Sequence, residues 1–402
     1  MLSLVFWLSY ALAFCIGGLI TFFGVPFRLA YVSFLPLIMI PFLGVKLSKA
    51  FTAFIIFFLY IVFSGLANKM SSLNIVLFFR YVITPFSMYF LVTNYLTSRN
   101  IKRVLWISIA VAMIQLPTML IERAFYTDLV RYSAVSIERV DFDFGTFMIN
   151  GDPAMTFLLL SVLVFLLFDG DNNQFVKRKT FKIAWLTATV LLSDSEMSHL
   201  ILIGIWLYYV SIHANLKKAA SVVGASLLVA ILIFSTSSWK EMNESVEDTI
   251  KQLSFSDVNE ADERAFLEGK YSRQAAVLYY LNEPMKLIGD GPSKYYNAIE
   301  KENVVGNTGQ LFTFYSEIGL LGMLIGYGTL LIIALDSDRV STQMRIPCII
   351  SIVAFTATTS VMSDVSMMLT FNLFMSTNLL SAPKSITRKW DNPSQLSLKI
   401  PQ

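Results

Sequence analysis

The sequence predicts an all-α polytopic membrane protein, and three observations predict it. Hydrophobic residues make up 55% of the 402 residues and charged residues only 15%. Soluble chains carry roughly 25% charged residues, so polar surface is too scarce here to wrap several water-soluble cores. Apolar stretches of membrane-crossing length recur along the chain, and the basic residues collect in alternate connections between them.

A span needs roughly 20 apolar residues, and fewer where helices are broken or buried in protein. That ruler picks out about twelve segments, at 4–23, 30–45, 50–67, 74–96, 104–121, 153–168, 183–194, 199–213, 219–237, 309–335, 346–361 and 364–380. The seventh, eighth, eleventh and twelfth are short, and would also pair as two re-entrant hairpins. The first lacks a basic n-region and a small-residue cleavage site, so it reads as a retained span. With both termini cytoplasmic, 17 of the 31 Lys and Arg residues fall on the inward side. Short outward loops hold 5, and Arg80 lies inside a span. The positive-inside rule favours that orientation.

Four regions follow: a membrane bundle over 1–237 with an outward loop at about 122–152, a large outward loop over 238–308, further spans over 309–380, and a cytoplasmic tail over 381–402. Tyr271, Tyr279, Tyr280, Gly289, Gly291, Pro292, Tyr295 and Tyr296 punctuate the large loop, which suits an ordered cap better than a linker. The absence of a long internal repeat argues against an inverted-repeat transporter. A formal charge of +3 gives no footprint for nucleic acid. Cys15 and Cys348 sit in apolar runs and read as packing residues. His199 and His213, without Cys or His neighbours, predict no metal site, and no cofactor is expected.

Polar residues inside this apolar background mark where chemistry is expected. Arg80 must face a wet cavity, a partner or an anion, or snorkel to the headgroups; as a ligand contact, its fork suits a phosphate. Asp194, Glu196 and His199 share one short turn between apolar segments. They read either as a base with its orienting group or as a polar helix cap. Arg123, Arg131 and Arg139 lie in the first outward loop beside aromatic residues, as a sugar–phosphate surface would require, or as an ordinary solvated loop would allow. In the second loop Arg273 opens an amphipathic stretch ended by Asn282-Glu283-Pro284, and residues 289–292 (GDGP) make a tight turn. A cation held over a membrane cavity there would offset a diphosphate leaving group.

This ordered set resembles the O-antigen ligase and polymerase superfamily, bacterial enzymes that act on undecaprenyl-diphosphate-linked glycans. Gly145-Thr146-Phe147 with Asn150 looks like that family's "GxF" element. Arg273, Pro284, Gly289, Gly291 and Tyr295 look like its loop helix and turn, and Asn307, Glu317, Gly319 and Gly322 like its "N" and "E-x-G-x-x-G" elements. The match covers roughly 140–325. Two departures stand out: Ser195-Glu196 where Ser-Arg is usual, and Gly306-Asn307 where ligases have His-Asn. The missing His favours a repeat-unit polymerase over a ligase.

What the resemblance implies is a GT-C-like, metal-independent glycosyltransferase in the bacterial inner membrane, acting at its periplasmic face. Its substrates would be lipid-diphosphate-linked oligosaccharides of O-antigen, capsule or exopolysaccharide, and a chain-length regulator is an expected partner. Arg273 would be the main diphosphate contact, with Glu196 or His199 as base. Arg80, Arg123, Arg139, Asn307 and Glu317 would bind substrate. The rivals are a glycan ligase and a non-enzymatic flippase or exporter, the latter expected to carry charge through many spans.

Overall fold

The computed structural model describes residues 1–25, 28–44, 47–133, 144–147, 151–168, 178–193, 195–212, 224, 284–294, 296–297, 302–303, 309–336 and 342–376. Apart from two antiparallel two-residue strands, β1 (Tyr296–Asn297) and β2 (Glu302–Asn303), the regular structure among these residues is helical. The chain is an α-helical polytopic membrane protein. Five helical segments are long and apolar enough to cross a bilayer: Leu2–Ile20, Lys49–Ala67, Ser72–Tyr95, Ile101–Ala124 and Gln310–Asp336. Shorter apolar helices cover most of the remaining segments expected from the sequence, while 219–237, apart from Gly224, lies outside the described residues.

Local chemistry accounts for the breaks. The first segment runs as α1 (Leu2–Ala11), a π-helical turn (Leu12–Ile16) and α2 (Gly17–Phe22). The second segment is not one helix. It is a 3₁₀ turn (Leu29–Ser33) followed by α3 (Phe34–Leu37) and α4 (Ile40–Leu43), stopped by Gly44 at φ +67°. Pro36 and Pro41 punctuate it, each removing a backbone donor. Ser48 caps α5 (Lys49–Ala67) by accepting from the Phe51 N–H at 3.1 Å, and Ser71 caps α6 (Ser72–Phe78). A tighter turn at Phe79 separates α6 from α7 (Arg80–Tyr95). Then come α8 (Ile101–Ala124), α9 (Tyr126–Tyr132), α10 (Asp152–Phe168), α11 (Lys179–Leu192) and α12 (Glu196–Ile212). The C-terminal set is α13 (Gln310–Asp336), α14 (Thr342–Phe355) and α15 (Val365–Met375).

Two helices form the centre. Every residue of α10 from Ala154 to Phe168 is buried, as is every residue of α15. α10 packs on α8, α11, α12, α14 and α15, while α15 also packs on α7. A helix apolar on all sides belongs inside other helices. The outer helices instead show large hydrophobic residues to their surroundings, among them Leu59, Leu66, Ile114, Leu207 and Leu324, as a hydrocarbon environment favours.

α13 differs from the single span expected at 309–335. Gly319 has φ +70° and ψ −176°, and divides it into two helices. In a straight helix Phe314 and Gly326 would stand about 18 Å apart. Here a Cβ added to Gly326 would lie 2.6 Å from the Phe314 ring, and the Phe314 and Tyr327 rings are 6.1 Å apart. The first half therefore bends sharply back onto the second.

Candidate functional site

Two loop motifs are anchored directly into the helices. Residues 144–147 of the first loop dock between α8 and the π-helical turn. The buried Glu122 carboxylate accepts from the Gly145 N–H at 3.0 Å, and Gln115 Oε1 accepts from the Thr146 N–H at 2.9 Å. Gln115 Nε2 donates to Thr146 Oγ1 at 2.9 Å, and that hydroxyl donates onward to the Phe14 carbonyl. A neighbouring carbonyl of the π turn, that of Ala13, accepts from Ser366 Oγ at 3.0 Å. The π turn thus lends carbonyls to side chains from elsewhere, a use for which such bulges are known. Gly145 is needed twice: φ is +59°, and a Cβ would meet Gln115 Oε1 at 2.2 Å.

The second loop is stitched down through residues 286–293. The N–H groups of Asp290 and Gly291 donate to the Ser316 and Glu317 carbonyls at 2.9 and 2.8 Å, and those of Leu320 and Leu321 donate back to Lys286 and Leu287. These bonds satisfy groups that the break at Gly319 removes from the helix ladder. Tyr60, Ser64 and Asn74 donate to the Ile318, Ile288 and Ser293 carbonyls at 2.9, 3.1 and 3.0 Å. Glu317, almost fully buried, accepts from the Ser293 N–H at 2.8 Å. Its carboxylate therefore holds the glycine–proline turn in place. Gly289 and Gly319 touch backbone to backbone, with added Cβ atoms only 2.4–2.5 Å from the opposing strand.

Arg80 begins α7, partly buried. Its guanidinium donates to Tyr81 Oη at 3.2 Å and lies 4.9 Å from the Tyr81 ring centre. Tyr81 in turn packs edge-on against Phe314, 5.1 Å between centroids. The structure thus brings Arg80 beside the same half-helix that carries Glu317. Arg123 donates to the Leu192 carbonyl at 2.6 Å and so ties α8 to the last turn of α11, where a cation complements the helix dipole.

The turn between α11 and α12 follows directly on Leu192. Ser198 Oγ lies 2.6 Å from Ser195 Oγ and 2.7 Å from Thr156 Oγ1 in a buried hydroxyl cluster, donating its single hydrogen to one and accepting from the other. His199 Nε2 stands 3.1 Å from the Val190 carbonyl. A carbonyl only accepts, so Nε2 carries the proton and Nδ1 is the basic nitrogen of the neutral ring. An apolar groove of about 250 Å³ runs from Met197 along α12 and α14 past Gly204, Tyr208, Pro347 and Ile350. Arg139, Asn150, Asp194, His213, Arg273, Tyr295, Asn307 and the Glu196 side chain lie outside the described residues. No group of three His, Cys, Asp or Glu side chains with metal-site geometry occurs among the described residues.

Sequence reading missed four participants: Gln115, Glu122, Gln310 and the hydroxyl-rich turn over 356–364. The signal was present at Gln115, which interrupts an apolar run with polar atoms that must be satisfied inside the membrane, whereas Glu122 and Gln310 stand at the ends of apolar segments and read as boundaries. No family model matches this chain, and no curated protein matches it at a significant level.

Proposed function

We propose that this chain is a glycosyltransferase of the bacterial inner membrane that polymerises undecaprenyl-diphosphate-linked oligosaccharide repeat units at the periplasmic face. On this reading the helices complete about twelve crossings in a GT-C-like arrangement, with both termini cytoplasmic. One observation carries the proposal. Two loop motifs of the resemblance, around Gly145 and around Gly289–Gly291, are hydrogen-bonded into membrane helices, the second onto the Glu317–Gly319 element. A loop so fixed is suited to hold Arg273 over the helices rather than to move freely above them.

The step needs few groups. A hydroxyl of the acceptor repeat unit attacks the anomeric carbon of the growing glycan, and the bond from that carbon to the diphosphate oxygen breaks. His199 or Glu196 takes the hydroxyl proton, and the lipid diphosphate leaves with the bonding electrons. Arg273, assisted by Arg80, offsets its charge. Removing one such contact costs about 3–4 kcal/mol, a few hundredfold in rate. Arg273→Ala should therefore leave the protein inserted and abundant while long polymer disappears from a ladder gel of surface polysaccharide. Single-unit glycans should remain. A full ladder removes the diphosphate contact, and loss of the single-unit band as well points to a ligase.

A further inference from the structure

α8 and α11 run side by side in the same direction. Their contacts follow chain order on both helices: Lys182 with Trp106, Trp185 with Met113 and Arg123 with Leu192. The two N-terminal ends therefore lie together, and both are basic. The Lys182 ammonium stands 4.9 Å from the centre of the Trp106 ring. Lys102 and Arg103 precede that tryptophan by one helical turn, on the same helix face. Arg103 also lies 5.9 Å from the Trp7 ring of α1. No ion pair involving Lys102, Arg103 or Lys182 occurs among the described residues. Three cations thus gather around two indoles without a carboxylate to offset their mutual repulsion.

Water satisfies lysines at a helix end, but it does not suit the surface that continues from them. Trp106 is half exposed, and Ala110 and Ile114, the next positions at i+4 spacing, are exposed as well. Phe181 is exposed beside Lys182 on α11. Ala110 is the low point of that stripe, between two large side chains. The surface is therefore cationic at its end and apolar along its length. An ammonium facing an indole keeps its outer hydrogens for an oxygen acceptor. A phosphate between Lys102 and Lys182 offsets their charge, while a fatty chain covers Trp106, Ala110 and Ile114. A soluble anion meets only the first need, and a lipid without net charge only the second.

We propose that the N-terminal ends of α8 and α11 bind an anionic phospholipid, its phosphate held between Lys102 and Lys182 and an acyl chain laid along Trp106, Ala110 and Ile114. With both chain termini cytoplasmic, this is a lipid of the cytoplasmic leaflet, where basic junctions between helices meet anionic headgroups. The proposal stands apart from the polymerase reading, since it asks only for the lipid.

The test uses the full chain in detergent micelles, with thermal unfolding followed by tryptophan fluorescence. Dioleoyl phosphatidylglycerol and dioleoyl phosphatidylcholine are titrated separately, and glycerol phosphate serves as a headgroup without chains. The wild type should show a saturable rise in Tm, with phosphatidylglycerol half-saturating at a concentration roughly twentyfold below phosphatidylcholine. Each lysine lost should raise that concentration about fivefold. Lys102→Gln with Lys182→Gln should therefore bring phosphatidylglycerol close to phosphatidylcholine, and Lys102→Gln alone should show the fivefold step if the double variant folds poorly. Lys49→Glu makes the same change in net charge at the start of α5, and should leave the preference intact. A wild type that does not prefer phosphatidylglycerol overturns the proposal. So does a preference that survives both lysine variants, or one lost equally in Lys49→Glu. An equal response to glycerol phosphate overturns it as well, since the patch then takes a soluble anion.

Discussion

Arg80 and Glu122 are ionisable residues in apolar helices, and the structure gives them different surroundings. Arg80 was legible in the sequence because a lone guanidinium stands out within its span. Its fork engages Tyr81 by a hydrogen bond and across the ring face. Lysine keeps the charge but neither the fork nor the planar stacking, so Arg80→Lys should lower polymer formation at unchanged abundance. Poor accumulation with normal activity per molecule would instead make it a fold-stabilising residue. Glu122 was not legible, because at the end of an apolar segment it reads as a boundary. Its bond to Gly145 shows only when the loop is seen folded back. Glu122→Ala strands that buried N–H and should cost about 1.5–3 kcal/mol, measurable as a fall in Tm. His199 reverses the case, since the residue was found while its nearest carbonyl was not. If Nδ1 is the base, His199→Ala should slow turnover about 10²–10⁴-fold at normal protein levels. Normal polymer from both His199→Ala and Glu196→Gln returns the turn to a helix cap.

At the scale of elements, hydropathy located helices well and their interruptions poorly. The segments at 50–67, 104–121 and 153–168 correspond closely to α5, α8 and α10, whose apolar character runs the length of each helix. The segment at 309–335 is just as apolar, yet folds back at Gly319, because hydropathy records the solvent a residue prefers and not the backbone angle it adopts. The glycines were noticed as part of a motif, but their duty is geometric. Gly319→Ala places a Cβ 2.4 Å from the Gly289 nitrogen at φ +70°, against backbone that cannot move aside. It should cost about 2–5 kcal/mol, and Gly289→Ala a similar amount, seen as loss of the monodisperse peak in size-exclusion chromatography. Gly204→Ala is the control. Nothing lies within 4 Å of its added Cβ, so it should gain about 0.5–1 kcal/mol in its helix.

For the molecule as a whole, composition was enough to predict a helical membrane protein, because so little charged surface leaves no other environment for so many apolar residues. Sidedness rests on the basic residues alone. It is tested by placing cysteine at the exposed Lys294 in a chain lacking Cys15 and Cys348. Labelling by an impermeant reagent from the periplasmic side is expected, and labelling only from the cytoplasmic side reverses the topology. The candidate site was legible only as an order of motifs, since Arg80, Glu317 and the turn over 289–292 are far apart in sequence, and the fold-back at Gly319 that brings them to one half-helix shows in no short window. The central claim is glycan polymerisation on a lipid diphosphate. Its most direct measurement is the purified protein in proteoliposomes, supplied with lipid-diphosphate-linked repeat units and followed by chain length and released lipid diphosphate. The account predicts chains of many units, with one lipid diphosphate freed per bond formed, and neither product from Arg273→Ala. Repeat units that stay single in the presence of folded wild-type protein, with no lipid diphosphate released, would contradict it.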